Sequence, residues 1–257
     1  MSDDLGAEEV AAALGDRPVR VYQAMLSTES DATAWARGGA VAGAVVVADY
    51  QASPRGRGGL PWTVQPGRGL GFSLLVRPAL PPEREGWPYI AASLAIAEVL
   101  ESGGLEWPDT VVGPEGADPV ARLGVYAELG PAGTEWVTIT VLVIEASPPR
   151  APLLSRLVDA LEYRLVNDDL TVLAAYRSRC VTLGRQVRAR MIPMGPGGPE
   201  INGEAVDVLA DGALVVLTVG GSRVAVPPQN LGLLEDPALP LKLPDDVKKR
   251  IGDHGGL

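Results

Sequence analysis

Histidine and lysine are almost missing from this 257-residue chain. The one histidine is His254 and the three lysines are Lys242, Lys248 and Lys249, so residues 1–241 contain neither type. That absence removes a Ser-His-Asp triad, a histidine-based metal site, a Schiff-base lysine and a P-loop lysine from the main body. Any cation in a pocket there must be arginine, which outnumbers lysine nineteen to three. The single cysteine, Cys180, excludes an internal disulfide and fits a reducing cytoplasm. No apolar run approaches the length of a membrane span. Met1 to Glu9 is acidic and lacks the basic start and apolar core of a signal peptide. With a net charge of −10 and no basic cluster, nothing marks a nucleic-acid surface. What is present, 46% apolar and 21% charged residues, is a globular profile long enough for one large and one small domain.

Periodicity and turn chemistry predict the elements. Val19 to Met25 alternates as a strand, and Ser27-Thr28 follow in a turn. Asp31 to Gly38 is a predicted helix with Ser30 as N-cap. Gly43 to Tyr50 and Leu70 to Val76 read as strands around an irregular Gly/Pro loop. Tyr89 to Ser102 carries Ile90, Leu94, Ala97 and Leu100 at helical spacing. A strand is predicted near Thr110 to Val112 and an acidic turn from Pro114 to Pro119. Arg122 to Leu129 and Trp136 to Ile144 form a hairpin, and Pro152 to Leu165 and Leu170 to Tyr176 form two helices. Val181 to Leu234 alternates short strands with Gly turns and suits a small barrel, with a flexible turn at Gly195 to Pro199. Pro237 to Leu257 is a charged tail.

The segment from Ala48 to Pro78 carries the most chemistry. Gln51 precedes a loop with Arg55, Gly56, Arg57, Gly58 and Gly59, and the chain leaves through Trp62 towards Arg77-Pro78. Glycines let backbone amides approach an anion and arginines add paired donors. Further on stand Glu106-Trp107-Pro108-Asp109-Thr110, and then Arg122-Leu123-Gly124-Val125 with Glu128-Leu129. Taken singly, these features read equally as a solvated Gly-rich loop and a Trp-Pro packing element. Together they resemble the biotin–protein ligases. That family places a G-R-G-R-x-G-R-x-W loop after a strand ending in Gln, and later a K-W-P-N-D and a K-x-x-G-I-L-x-E motif. Ser27-Thr28 sits where the family has S-T-N. The resemblance covers roughly Val19 to Leu234.

The resemblance implies an α+β fold. A mixed β-sheet with helices packed on it would occupy 1–178, a small SH3-like β-barrel 179–236, and a tail 237–257. With a first predicted strand at Val19, the N-terminal DNA-binding domain of some members is expected to be absent. It further implies ATP and biotin as ligands, Mg²⁺ as a candidate companion, and a biotin carboxyl carrier domain as acceptor. It leaves a homodimer open. Ligand-binding positions carried over are Ser27, Thr28, Gln51, Arg55, Gly56, Arg57, Trp62, Trp107 and Gly124. The sequence departs from the pattern at Glu29 (family Asn), Pro54 (Gly), Leu60 (Arg), Thr110 (Asp), and in lacking the late G-I-G-x-N turn. Above all, Glu106 occupies the position of the family lysine, so no catalytic residue is assigned. Mg²⁺ bound by Glu106, or Arg122, would be the routes to restoring the charge. Three functions follow: a divergent member with weakened or absent adenylation that binds a biotin-like acid, its adenylate or a carrier protein; an active ligase with a rearranged site; and an interaction protein with a closed pocket.

Overall fold

The computed structural model describes residues 4–59, 61–62, 67–114, 118–131, 133–166, 169–193 and 198–237. Leu60, most of the acidic turn after Pro114, most of the Gly195 to Pro199 turn and nearly all of the charged tail lie outside these residues. The chain runs α1 (Ala7–Leu14), β1 (Val19–Met25), α2 (Thr28–Arg37), β2 (Val45–Gln51), β3 (Leu70–Val76) and α3 (Trp87–Val99). It continues through β4 (Gly104–Glu106), β5 (Thr110–Val112), β6 (Pro119–Gly130), β7 (Gly133–Val143), α4 (Arg150–Val166) and α5 (Asp169–Arg179). The last part is β8 (Gln186–Met191), β9 (Glu200–Val208), β10 (Leu214–Thr218), β11 (Arg223–Val226) and β12 (Leu231–Glu235).

Strands β1 to β7 form one sheet in the order β1-β2-β3-β7-β6-β5-β4. Only β1 and β2 are parallel, so the sheet is mixed, as the α+β expectation required. Alternation divides its faces. On β3, Leu70, Phe72, Leu74 and Val76 join the main core under α3 and α4. The alternate residues Gly71, Ser73 and Leu75 face the α2 side, where Leu75 packs with Ala36, Ala40, Ala44 and Trp136. On β7, Val137, Ile139, Val141 and Val143 belong to the core, and Thr138 and Thr140 take the other face. One face of the sheet is therefore greasy, and the other carries a stripe of small and hydroxylated residues.

Several predicted elements are corrected. Helix α1 was not foreseen; it buries Val10 and Leu14 against α4, and its Ala-rich stretch supplies propensity. Helix α2 begins at Thr28, not Asp31, and its N-cap is Ser27, not Ser30. Ser27 has the extended backbone that a cap needs, and its Oγ accepts from the Ser30 N–H at 3.4 Å. Strand β4 was missed because three residues are too few for a period. Helix α3 is not one-sided: Trp87 through Ala97 are all buried, because it lies between the sheet and helices α4 and α5. Strands β8 to β12 pair as a five-stranded antiparallel sheet in the order β11-β10-β9-β8-β12. Its apolar face, with Val187, Ala189, Leu214 and Leu231, is continuous with the main core.

The N-terminal segment is tied down by an ion pair with almost no solvent access. Arg150, at the start of α4, donates to both Asp4 oxygens through Nε and Nη2 and to the Gly69 carbonyl through Nη1. Its Nη1 also lies 2.7 Å from Asp49 Oδ1. Hydrogen bonding from Arg150 holds the Asp4 carboxyl below the usual carboxylate range, against the opposing effect of burial. A depressed acid stabilises the fold above its unfolded pKa, about 3.9, and the contribution is lost as pH falls through the folded value. Asp4→Ala leaves Arg150 short of a partner and should cost about 3 kcal/mol at pH 7. Thermal melts should show the gap to wild type narrowing below about pH 4; a gap that stays constant to pH 3 contradicts this account.

Candidate functional site

Two rows of residues cross the α2 face of the main sheet in register. One runs Val46–Ser73–Thr140–Gly124, the other Gly71–Leu142–Arg122–Thr110–Glu106. The Gly-Arg loop lies over the first row. A Cβ on Gly124 would sit 3.0 Å from the Gly56 carbonyl carbon and 3.1 Å from the Arg57 nitrogen, so loop backbone touches strand backbone there. A Cβ on Gly56 would collide with the Trp62 indole on the loop's outer side. Strand, loop and indole form a three-layer stack, and glycine is required at both contacts because no side chain fits.

Arg57 fixes the loop at its far end. The side chain is buried, with Nε 2.8 Å from Asp109 Oδ2. Its Nη1 donates to the carbonyl of Leu231 and, at 3.4 Å, to that of Gly232. Strand β12 is the edge of the second sheet and its register shifts between Leu231 and Leu233, so these carbonyls point outward to meet the guanidinium. Arg55, by contrast, is exposed and donates to the Gly59 carbonyl within the loop.

Under the loop is a hydroxyl relay. Gln51 Oε1 accepts from the Thr28 N–H at 2.8 Å and from Thr28 Oγ1 at 3.1 Å. Because a backbone N–H only donates, the amide orientation of Gln51 is fixed. Thr28 Oγ1 therefore accepts from Ser73 Oγ at 2.9 Å, and Ser73 in turn accepts from Thr140 Oγ1 at 2.8 Å. Every hydroxyl proton of this buried chain is engaged, and the Gln51 amide Nε2, packed on Gly71, is its terminal donor. Ser27 and Thr28 thus serve the helix entry and the relay. Glu29, half-buried in the next position, has its carboxyl pushed up by burial, against the opposing field of Arg55.

Beside the loop opens a cavity of about 240 Å³. Trp62, Trp107, Pro61 and Pro108 form apolar walls, and Leu233 and Leu234 of β12 close one side. Among the described residues, four charged groups line it: Arg57, Glu106, Asp109 and Arg122. Trp107 is buried, with its backbone N–H on Thr182 Oγ1 and its indole N–H on the Gly212 carbonyl, so it packs the wall and ties it to the second sheet at once. Glu106 is half-exposed and, among the described residues, pairs only with Arg185, at 3.8 Å and itself half-exposed, a pair of little energetic weight.

Of the carried-over positions, Arg57, Trp62 and Trp107 line this cavity together with Glu106. Gly56 and Gly124 position the loop above it, and Ser27, Thr28 and Gln51 belong to the relay rather than to the cavity wall. Asp109 stood in the Trp107-Pro108 motif without a role assigned to it, and no site role was assigned to Ser73, Thr140 or the β12 residues. Ser73 had a visible signal, as a hydroxyl inside the run Leu70 to Val76. The β12 carbonyls had none, because backbone groups carry no sequence mark. Among the described residues no group of three His, Cys, Asp or Glu could hold a metal, and no helix is long and apolar enough to cross a membrane.

The fold is shared with solved biotin protein ligases. The biotin protein ligase of Aquifex aeolicus in complex with biotin and ATP superposes with a TM-score of 0.61 at 21% identity, over 85% of this chain and 99% of that one. Helicobacter pylori biotin acetyl coenzyme A carboxylase synthetase with bound biotinylated ATP gives 0.58 at 17% identity, over 82% and 100%. A biotin protein ligase-like protein of unknown function from Silicibacter sp. gives 0.62 at 13% identity, over 83% and 95%. No family model matches the sequence. The chain is, however, 31% identical over 246 residues to the biotin–[acetyl-CoA-carboxylase] ligase of Mycobacterium tuberculosis, covering 84% of this chain and 89% of that one. The chain belongs to the biotin–protein ligase family.

Two outcomes test this geometry. Gly124→Val must lift the loop and should speed tryptic cleavage after Arg57 roughly tenfold, equivalent to about 1.4 kcal/mol of local destabilisation; cleavage at the wild-type rate contradicts the stacking. For Glu29, whose folded pKa is raised, the protonated form is the favoured one, so its contribution is present at low pH and lost as pH rises through the folded value. Glu29→Gln should therefore raise the melting point at neutral pH and leave it unchanged near pH 3, measured by thermal melts across that range.

Proposed function

We propose that this protein binds a biotin-like carboxylic acid and its adenylate in the cavity beside the Gly-Arg loop, with adenylation weakened relative to family members that present lysine at position 106. The observation that carries this is Glu106 itself: it lines the cavity with no closer ionic partner among the described residues than Arg185 at 3.8 Å, whereas the other acid there, Asp109, is neutralised by Arg57. In adenylation the acid's carboxylate oxygen bonds to the α-phosphorus of ATP and pyrophosphate leaves. Negative charge accumulates between the two reactants. A fixed cation there stabilises the transition state, and removing one such electrostatic contribution costs about 10²–10³ in rate. A carboxylate in the same place adds repulsion.

ATP would bring Mg²⁺ held mainly by its own phosphates, for which Glu106 offers one carboxylate. In the second half-reaction a carrier-domain lysine attacks the acyl carbon of the mixed anhydride and AMP leaves. The name of the Mycobacterium tuberculosis relative, a biotin–[acetyl-CoA-carboxylase] ligase, supports a biotin carboxyl carrier domain as the acceptor. The second sheet, over 179–236, would serve as an SH3-like module closing the cavity beside the catalytic-type domain of 1–178. An open cavity of about 240 Å³ favours a binding site over a closed interaction protein.

Single-turnover formation of biotinyl-adenylate from biotin and ATP tests the reading. The wild type should be slow and Glu106→Lys faster by about 10²–10³. A wild type that forms the adenylate as fast as Glu106→Lys would sink it.

A further inference from the structure

We infer that Arg122 is the residue that holds the anionic group of the ligand in this cavity, an assignment that rests on the adenylate-binding reading above. The cavity has two guanidinium groups, and one is already engaged. Arg57 has Nε on Asp109 and Nη1 on two β12 carbonyls, so it is held as a brace between the loop, the β4–β5 turn and the second sheet. Arg122 lines the same cavity, is exposed, and makes no hydrogen bond or ion pair among the described residues.

Register places it. Arg122 faces Thr110 on β5, which faces Glu106 on β4, so the three share one row on one face. Neighbouring strands lie about 4.8 Å apart, which puts Arg122 and Glu106 roughly 10 Å apart at Cα, beyond direct pairing but across a common space. Two residues along β6, Gly124 carries the loop backbone at Gly56 and Arg57. An anion entering the cavity is repelled from the Glu106 end and drawn to the Arg122 end. There it meets a guanidinium that presents paired donors to a phosphate, beside the loop backbone over Gly124. The acid at 106 thus selects where in the row the anion sits. The preceding residue, Ala121, is part of the buried core, so among these β6 neighbours only Arg122 projects a cation to this face.

The probe is biotinol-5′-AMP, whose phosphodiester keeps the charge and lacks the labile acyl bond, titrated calorimetrically into the full chain. Arg122→Ala should weaken binding roughly ten- to a hundredfold, the usual range for a hydrogen-bonded charge. Arg122→Lys should recover part of it, and the melting point should stay within a degree or two because the side chain is exposed. In a Glu106→Lys background the loss from Arg122→Ala should shrink, since a second cation then shares the anion. If the wild type binds the probe and Arg122→Ala binds it equally well, the assignment of Arg122 is overturned while the adenylate site stands. If the wild type binds neither biotin nor the probe, the adenylate-binding reading falls and this assignment goes with it.

Discussion

The Arg57–Asp109 contact, extended to the Leu231 and Gly232 carbonyls, sets the position of nearly everything around the cavity. One guanidinium joins three parts of the chain distant in sequence: the loop after β2, the turn between β4 and β5, and the bulged edge of β12. A planar group with five donors suits such a junction, because it can serve a carboxylate and carbonyls from different directions at once. Lysine, with a single ammonium on a flexible stem, would hold only part of this geometry. The second sheet is further pinned by Trp107 on Gly212, Arg84 on Ala210 and Arg177 on Asp207 and Val208. Of these, Trp107 also lines the cavity, so among the described residues Arg57 and Trp107 together couple the docking of that sheet to the shape of the site.

The loop position is enforced from below and above by contacts that exclude side chains. Gly124 lets the loop reach the sheet and Gly56 lets Trp62 reach the loop. These are packing requirements, and they hold whatever the chemistry of the cavity. They allow a scaffold of this kind to be kept while charged positions inside it change. The relay from Thr140 to Gln51 has the same character. Its hydroxyls satisfy one another, so it orders the sheet face without offering more than the Gln51 amide to a ligand.

Much of this was legible in the sequence, for identifiable reasons. Strand β3 was read with the ends it has, Leu70 and Val76, because a glycine pair and Arg77-Pro78 delimit a β-branched and apolar run. The β6–β7 hairpin followed from two alternating runs about a Gly-rich turn. Helix α2 was misjudged because Ser27, Thr28 and Ser30 can all cap, and only the backbone of Ser27 decides among them. Helix α3 was found from four apolar residues at helical spacing, a signal that cannot register its burial on every face. At the site, the Gly-Arg loop and Trp107 were visible as motif residues. That Arg57 braces the fold was not visible, because its partners include backbone carbonyls some 175 positions away.

The charge pattern of the cavity is coherent once Arg57 is removed from the list of available cations. What remains is a dipole across three strands: Glu106 at the edge strand β4, neutral Thr110 on β5, and Arg122 on β6. Compositional drift towards arginine would have placed a cation at 106, since arginine outnumbers lysine nineteen to three. An acid there is tolerated for physical reasons. Asp109 is already neutralised, Glu106 is half-exposed, and water screens its repulsion of the protein's other acids. The same acid is costly only to an anion that must lie close to β4. A site of this polarity therefore distinguishes between holding a phosphate, which Arg122 can do from β6, and driving its formation, which needs positive charge where Glu106 stands.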